Sequence, residues 1–215
     1  APASLLKVPL ALSIHRRGEL DPSFLQKKVV MNIPDQNGGE FFAAPNKAEP
    51  GKEYTIEQLL DLSLIDSDNN ATDLLIMQLT DEELRNSYED LGIKVPVDNP
   101  GAYTMNVGVY SSFFRILYNS SYLSRDSSEE FLADLSRSTF TKGLVSGIPQ
   151  GVVVSHKFGE YQTESGLKQL HDCGVIYRTD RPYILCVMTQ GNDFNKLASA
   201  IADISKSVWE AGNTN

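Results

Sequence analysis

Between Ser4 and Arg17 the apolar residues Leu5, Leu6, Val8, Leu10, Ala11, Leu12 and Ile14 point in nearly every direction around a helical wheel, so the stretch reads as a buried helix with Gly18 as its stop. Pro9 lies inside it. It would remove one ladder bond and bend the helix rather than end it, because the apolar pattern continues beyond. Asp21-Pro22 opens a second short helix, with Asp as cap and Pro at the first helical position. Residues 32–54 then lose the helical period and are dense in Pro, Gly and Asn. That texture marks a long irregular connection, and such loops are often functional.

Thr55-Ile-Glu-Gln58 is a capping box that starts a helix through about Ile65; after a break at Ser67-Asp68-Asn69 a further helix is expected from about Ala71 to Leu79. Thr80-Asp-Glu-Glu83 is another capping box, for a helix ended by Gly92, and helices follow near 107–118 and 128–138. The pattern then changes period. Val152–Lys157, Gly166–Tyr177 and Tyr183–Gln190 are β-branched and aromatic runs, the last two joined by a short turn, which predicts a three-strand antiparallel meander. A final helix from about Asp193 to Ala211 closes the chain. Helices grouped in the middle with strands and one helix at the end predict an α+β fold rather than an alternating parallel sheet.

Composition narrows the function classes. With 215 residues, 41% of them hydrophobic, the chain suits one globular domain over 1–215. The net charge of −9, with 19 scattered Lys and Arg, argues against a nucleic-acid or anionic-membrane surface. No apolar run approaches the roughly 18 residues that span a bilayer. No charged-then-apolar leader precedes Ala1, so any leader is expected to have been removed. Cys173 and Cys186 fall about opposite each other across a hairpin; a cross-strand disulfide is one outcome, and two buried free thiols are the expected one. His15, His156 and His171 share no metal-ligand spacing, and neither a metal nor another cofactor is expected.

Three short motifs carry chemistry. Ser4-Leu-Leu-Lys7 places a hydroxyl and an amine one turn apart, so the amine could take the hydroxyl proton if burial lowered its pKa. Ser67-Asp68-Asn69 sits on a helix break, where the same residue types also serve as ordinary caps. Lys157-Phe158-Gly159 ends the first strand of the meander, and it could equally be a solvated lysine before a glycine bulge. Taken singly, each is an ordinary structural feature.

Their order is more specific. A helix-borne SxxK, an SDN between helices and a KxG on a C-terminal meander together resemble the signature of the class A β-lactamase and penicillin-binding protein family. The similarity extends through SLLKVPLAL, YTIEQLLDLSLIDSDNNATDLLI, GLVSGIPQGVVVSHKFG and HDCGVIY, nearly the whole chain. The resemblance implies Ser4 as the acylated nucleophile, Lys7 as its general base and Ser67 as a proton relay to the leaving nitrogen. It implies Asn69 as a holder of Lys7 and of the substrate's side-chain amide, and Lys157 as positive charge for a substrate carboxylate. Phe158 and Gly159 would stand at the substrate rim, and the backbone N–H groups of Ser4 and Glu160 would form the oxyanion hole. The tips of Ser4, Lys7, Ser67 and Lys157 should then converge.

The chain also departs from that family. The glutamate that activates deacylating water has no counterpart between YEDLGIKVP and VDNPGAYTMNVG, and Glu89 and Asp90 read as solvated helix charges. An acyl-enzyme formed here should therefore be long-lived. Phe158 replaces the usual Thr or Ser, which removes a hydroxyl and adds a ring at the site's rim, with packing and facing substrate both open to it. Only Ala-Pro-Ala precedes Ser4, where the family has a helix and two strands, so a truncated domain, or a second chain supplying the strands, is expected. The resemblance thus implies a β-lactam hydrolase with slow deacylation, a D-alanyl peptide carboxypeptidase or transpeptidase, or a non-catalytic wall- or partner-binding relative. Each would work outside the cytoplasm.

Overall fold

The computed structural model describes residues 1–92 and 104–212. A 3-10 turn, Ala3–Leu6, leads into α1 (Lys7–Leu20), and a second, Pro22–Gln26, is capped by Asp21 as expected. Strands β1 (Lys28–Val30) and β2 (Glu53–Thr55) pair antiparallel and close the long connection at its base, a ladder the sequence pattern had left irregular. The capping box at Thr55 starts α2 (Ile56–Asp61), which widens into a π turn (Leu62–Asp66) before α3 (Asn69–Ile76). Thr80 likewise caps α4 (Asp81–Asp90), and α5 (Val107–Tyr118) and α6 (Arg125–Ser136) complete the helical region.

Strands β3 (Val154–Gln162), β4 (Lys168–Ile176) and β5 (Tyr183–Gly191) form an antiparallel sheet in the order β3-β4-β5, followed by α7 (Phe194–Ala211). Alternation along β4 sends its two faces to two cores. Cys173 and Val175 join the cluster built on α1, α2, α3, α5 and α6, whereas Leu170 joins Phe194, Leu197, Ala198 and Ile201 of α7. The spacing of those α7 residues is one helical face. The sheet is thus covered on both sides, and no described helix is long and apolar enough to cross a membrane.

Pro9 falls in the first turn of α1, and the helix continues past it to Leu20 as expected. Three expectations need correction. Gly18 is no stop but lies within α1, where an added Cβ would come within 2.8 Å of Leu25. The β3 strand runs on through Gly159 to Gln162, so Lys157-Phe158-Gly159 sits in its middle. Cys173 is directly opposite Cys186 in the ladder, and their sulfurs are joined rather than free.

Candidate active site

Ser4 lies in the 3-10 turn that feeds α1, and residues three apart eclipse in such a turn, so Ser4 and Lys7 share one side of it. Ala3, just before Ser4, is held at φ 50°, and Ser67 at φ 62°. Left-handed backbone costs a residue with a Cβ roughly 1–2 kcal/mol. Such local strain tends to gather at functional sites. In Ser67 the reversal ends the π turn and swings both the carbonyl and the hydroxyl toward α1.

Lys7 is 4% exposed, and its ammonium is enclosed by oxygen. Nζ donates to Ser67 O at 2.5 Å, Asn69 Oδ1 at 2.8 Å and Ser67 Oγ at 3.2 Å. From the other side, Lys157 Nζ of β3 donates to the same Ser67 Oγ at 2.8 Å and to Phe158 O at 3.3 Å. Two amines thus meet on one hydroxyl. Burial pushes the Lys7 amine down from 10.5 to about 7, against the fields of Asp68, Glu40 and Asp73. Lys157 is pushed well below the ordinary lysine range, first by burial and then by the charge of Lys7, with Asp172 opposing. At neutral pH such a pair readily holds one amine as a free base.

The sheet is brought against the Ser4 turn by the absence of a side chain. A Cβ on Gly159 would lie 2.8 Å from Pro2 O and 3.0 Å from Leu5 N, so only glycine lets β3 pass this close to Ser4. On the helical wall, Asp68 is fully buried and accepts from Asn70 N at 3.2 Å, Ala71 N at 2.9 Å, Ala48 N at 2.9 Å and Asn37 Nδ2 at 2.7 Å. The middle residue of the SDN turn therefore caps α3 and also anchors the long 32–54 connection.

Three of the four expected tips, those of Lys7, Ser67 and Lys157, come together; the Ser4 hydroxyl takes no part in their hydrogen-bonded group. Asn69 faces Lys7 through Oδ1, but its amide donates to Glu40 Oε1 at 2.6 Å rather than standing open. Phe158, for which packing and facing substrate were both open, packs: it is 4% exposed, its ring stacks on Phe140 at 4.0 Å and lies 4.6 Å from Lys157 Nζ. The reason is tertiary, since Phe140 and Phe42 arrive from segments far away in sequence to cover it. Glu89 and Asp90 close α4, and among the described residues neither side chain bonds to the site; the connection from 93 to 103 lies outside the described residues.

The sequence reading missed Glu40, Asn37 and the side chain of Glu160. Glu160 Oε1 accepts from Phe41 N at 2.6 Å and Phe42 N at 3.2 Å. The only signal for Asn37 and Glu40 was a long polar loop, which has no period to read, and nothing along β3 marks the loop amides that the Glu160 side chain holds. Among the described residues no cluster of His, Cys, Asp and Glu could hold a metal ion.

A helical region joined to an antiparallel sheet, with an SxxK turn, an SDN turn and a strand lysine lining the seam, is the plan of the serine β-lactamases and penicillin-binding proteins. The chain belongs to the beta-lactamase enzyme family, whose model matches residues 1–211. It is 25% identical to beta-lactamase VEB-1 of Pseudomonas aeruginosa, over 96% of this chain and 76% of that protein. Its fold matches the beta-lactamase of Francisella tularensis with a TM-score of 0.82 at 21% identity, covering 100% of this chain and 87% of that one. A variant of PBP-A, solved as an acyl-enzyme complex with penicillin G, matches with a TM-score of 0.80 at 21% identity, covering 99% and 81%.

Proposed function

We propose that this protein is a serine acyl-enzyme hydrolase in which Ser4 attacks a β-lactam or a related amide and releases the acyl group slowly. The observation that carries this reading is the meeting of two buried amines on the Ser67 hydroxyl, that of Lys157 and that of Lys7, which lies one turn along the chain from Ser4. With its pKa near 7, Lys7 in the neutral form takes the proton from Ser4 Oγ as that oxygen attacks the amide carbonyl. The oxyanion is received by the N–H groups of Ser4 and Glu160. Ser67 then passes its proton to the departing nitrogen and recovers one through the lysines bonded to it, leaving Ser4 as an ester.

Release needs an activated water. Residues 91–106 contain no glutamate, and Glu40 is spent on Asn69, so the ester is expected to outlast the acylation step. That same feature favours a second reading, a penicillin-binding protein acting on D-alanyl peptides, and the likeness to PBP-A supports it. Either substrate places the protein outside the cytoplasm. Exposure to a penicillin followed by intact-mass measurement is expected to show one adduct, absent in Ser4→Ala; a wild type without adduct refutes the proposal. Rapid loss of the adduct with release of hydrolysed drug would reject the peptidase reading.

A further inference from the structure

The long connection between β1 and β2 does more than link two strands. Its residues 37–42 bond to both walls of the seam that holds Ser4. On the helical wall, Asn37 Nδ2 donates to Asp68 Oδ1 at 2.7 Å and Asn37 Oδ1 accepts from Asn69 N at 3.1 Å. Glu40 then accepts from Asn69 Nδ2 at 2.6 Å. Because Lys7 already occupies Asn69 Oδ1, this contact takes one of the two N–H groups of the amide. A substrate carbonyl that binds Asn69 must then use the other N–H or compete with a carboxylate.

On the sheet wall the same segment is held by Glu160, one residue beyond Gly159. Its carboxylate receives the N–H groups of both Phe41 and Phe42. Bonds with one ionised partner are the stronger kind, and here one carboxylate anchors each end. Between the anchors, the Phe42 ring meets Phe140 edge-on at 5.0 Å and Phe158 at 6.3 Å, covering the aromatic surface beside Lys157. A cavity of about 340 Å³ remains next to it, lined in part by Phe41, Phe42, Phe140, Phe158 and Lys142.

The segment also has a place to bend. Gly39 has φ +93° and Gly38 φ +155°, and nothing lies within 4 Å of where a Cβ on either would be. A glycine pair with no packing around it bends at little cost, and opening has to part the Phe41 and Phe42 rings from Phe140, Phe158 and Phe194 and to release Gly38 N from Glu40 Oε2. We propose that residues 37–42 are a strap that closes the substrate cleft, with Glu40 and Glu160 as its two clasps and Gly38-Gly39 as its hinge, so that it must open before Ser4 is acylated. This inference rests on Ser4 being the nucleophile.

Two variants test it: Glu40→Ala, which frees Asn69, and Glu160→Gln, which keeps the backbone of β3 and weakens only the hold on the strap amides. The second-order rate of penicillin adduct formation would be followed by mass spectrometry, alongside amide hydrogen exchange at residues 37–42. Both variants are expected to acylate about tenfold faster than wild type, with faster exchange across the strap, as befits losing one charge-assisted anchor. Equal rates in all three proteins overturn the strap while leaving Ser4 as the nucleophile. Slower rates in both variants overturn it too, because they would make the two carboxylates substrate-binding groups. No adduct on any of the three defeats the Ser4 reading, and the gate with it.

Discussion

The depressed pKa of Lys7 makes the stability of the protein depend on pH in a way that one substitution isolates. In the unfolded chain the amine titrates near 10.5, and in the folded protein near 7. Below pH 7 both states carry the proton, so the burial penalty is fully present; between about 7 and 10.5 only the unfolded state holds it, and stability rises with pH. At about 1.4 kcal/mol per pH unit the whole window is worth about 5 kcal/mol. Lys7→Met removes the titration. The unfolding free energy of wild type minus that of the variant should therefore climb by about 2–3 kcal/mol between pH 7.5 and 9.5. Lys157 adds to this with the same sign, because it is held down partly by Lys7 and recovers in the variant. Urea unfolding of both proteins at three pH values measures the difference directly, and the other titrating groups cancel. A difference that stays constant to within about 0.5 kcal/mol would refute the reasoning: Lys7 would then be charged at neutral pH and unable to serve as a base.

On the proposed mechanism the same amine should also set the rate of acylation. Below pH 7 the adduct should form about tenfold more slowly for each unit of acidification, and the rate should level off above it; a flat profile in quenched-flow mass measurements excludes Lys7 as the base. Gly159→Ala places a Cβ against Pro2 O and Leu5 N, pushing the nucleophile turn from the sheet, and adduct formation should fall about 100-fold in the same assay. Phe158→Ala should cost about 3–5 kcal/mol in chemical denaturation, because the ring is enclosed by Phe140 and Phe42; a loss under about 1 kcal/mol would show that it faces solvent or substrate instead.

Much of the architecture was legible because it is local. The hydroxyls of Thr55 and Thr80 bond the amides three residues on, and the β-branched runs after Val152 alternate between two faces; such rules act within one element and leave a mark in its sequence. The three chemical motifs were legible as words in order, each short and each carried by a single turn or strand. What they do to one another was not. The pKa of Lys7 is lowered by burial, which no local pattern encodes, and the oxygens that receive its Nζ come from Ser67 and Asn69, about 60 positions away. Phe158 could be read as packing or as facing substrate because its strand does not encode Phe140 or Phe42. The strap is the extreme case, with Glu160 holding Phe41 across a separation of 119 residues. Polar side chains in a loop have no period, and their partners are chosen by the walls the loop happens to cross. Periodicity, caps and turn residues thus determined the elements and their order, whereas the tertiary fold alone decided which charges share a dry space and which segment lies over them.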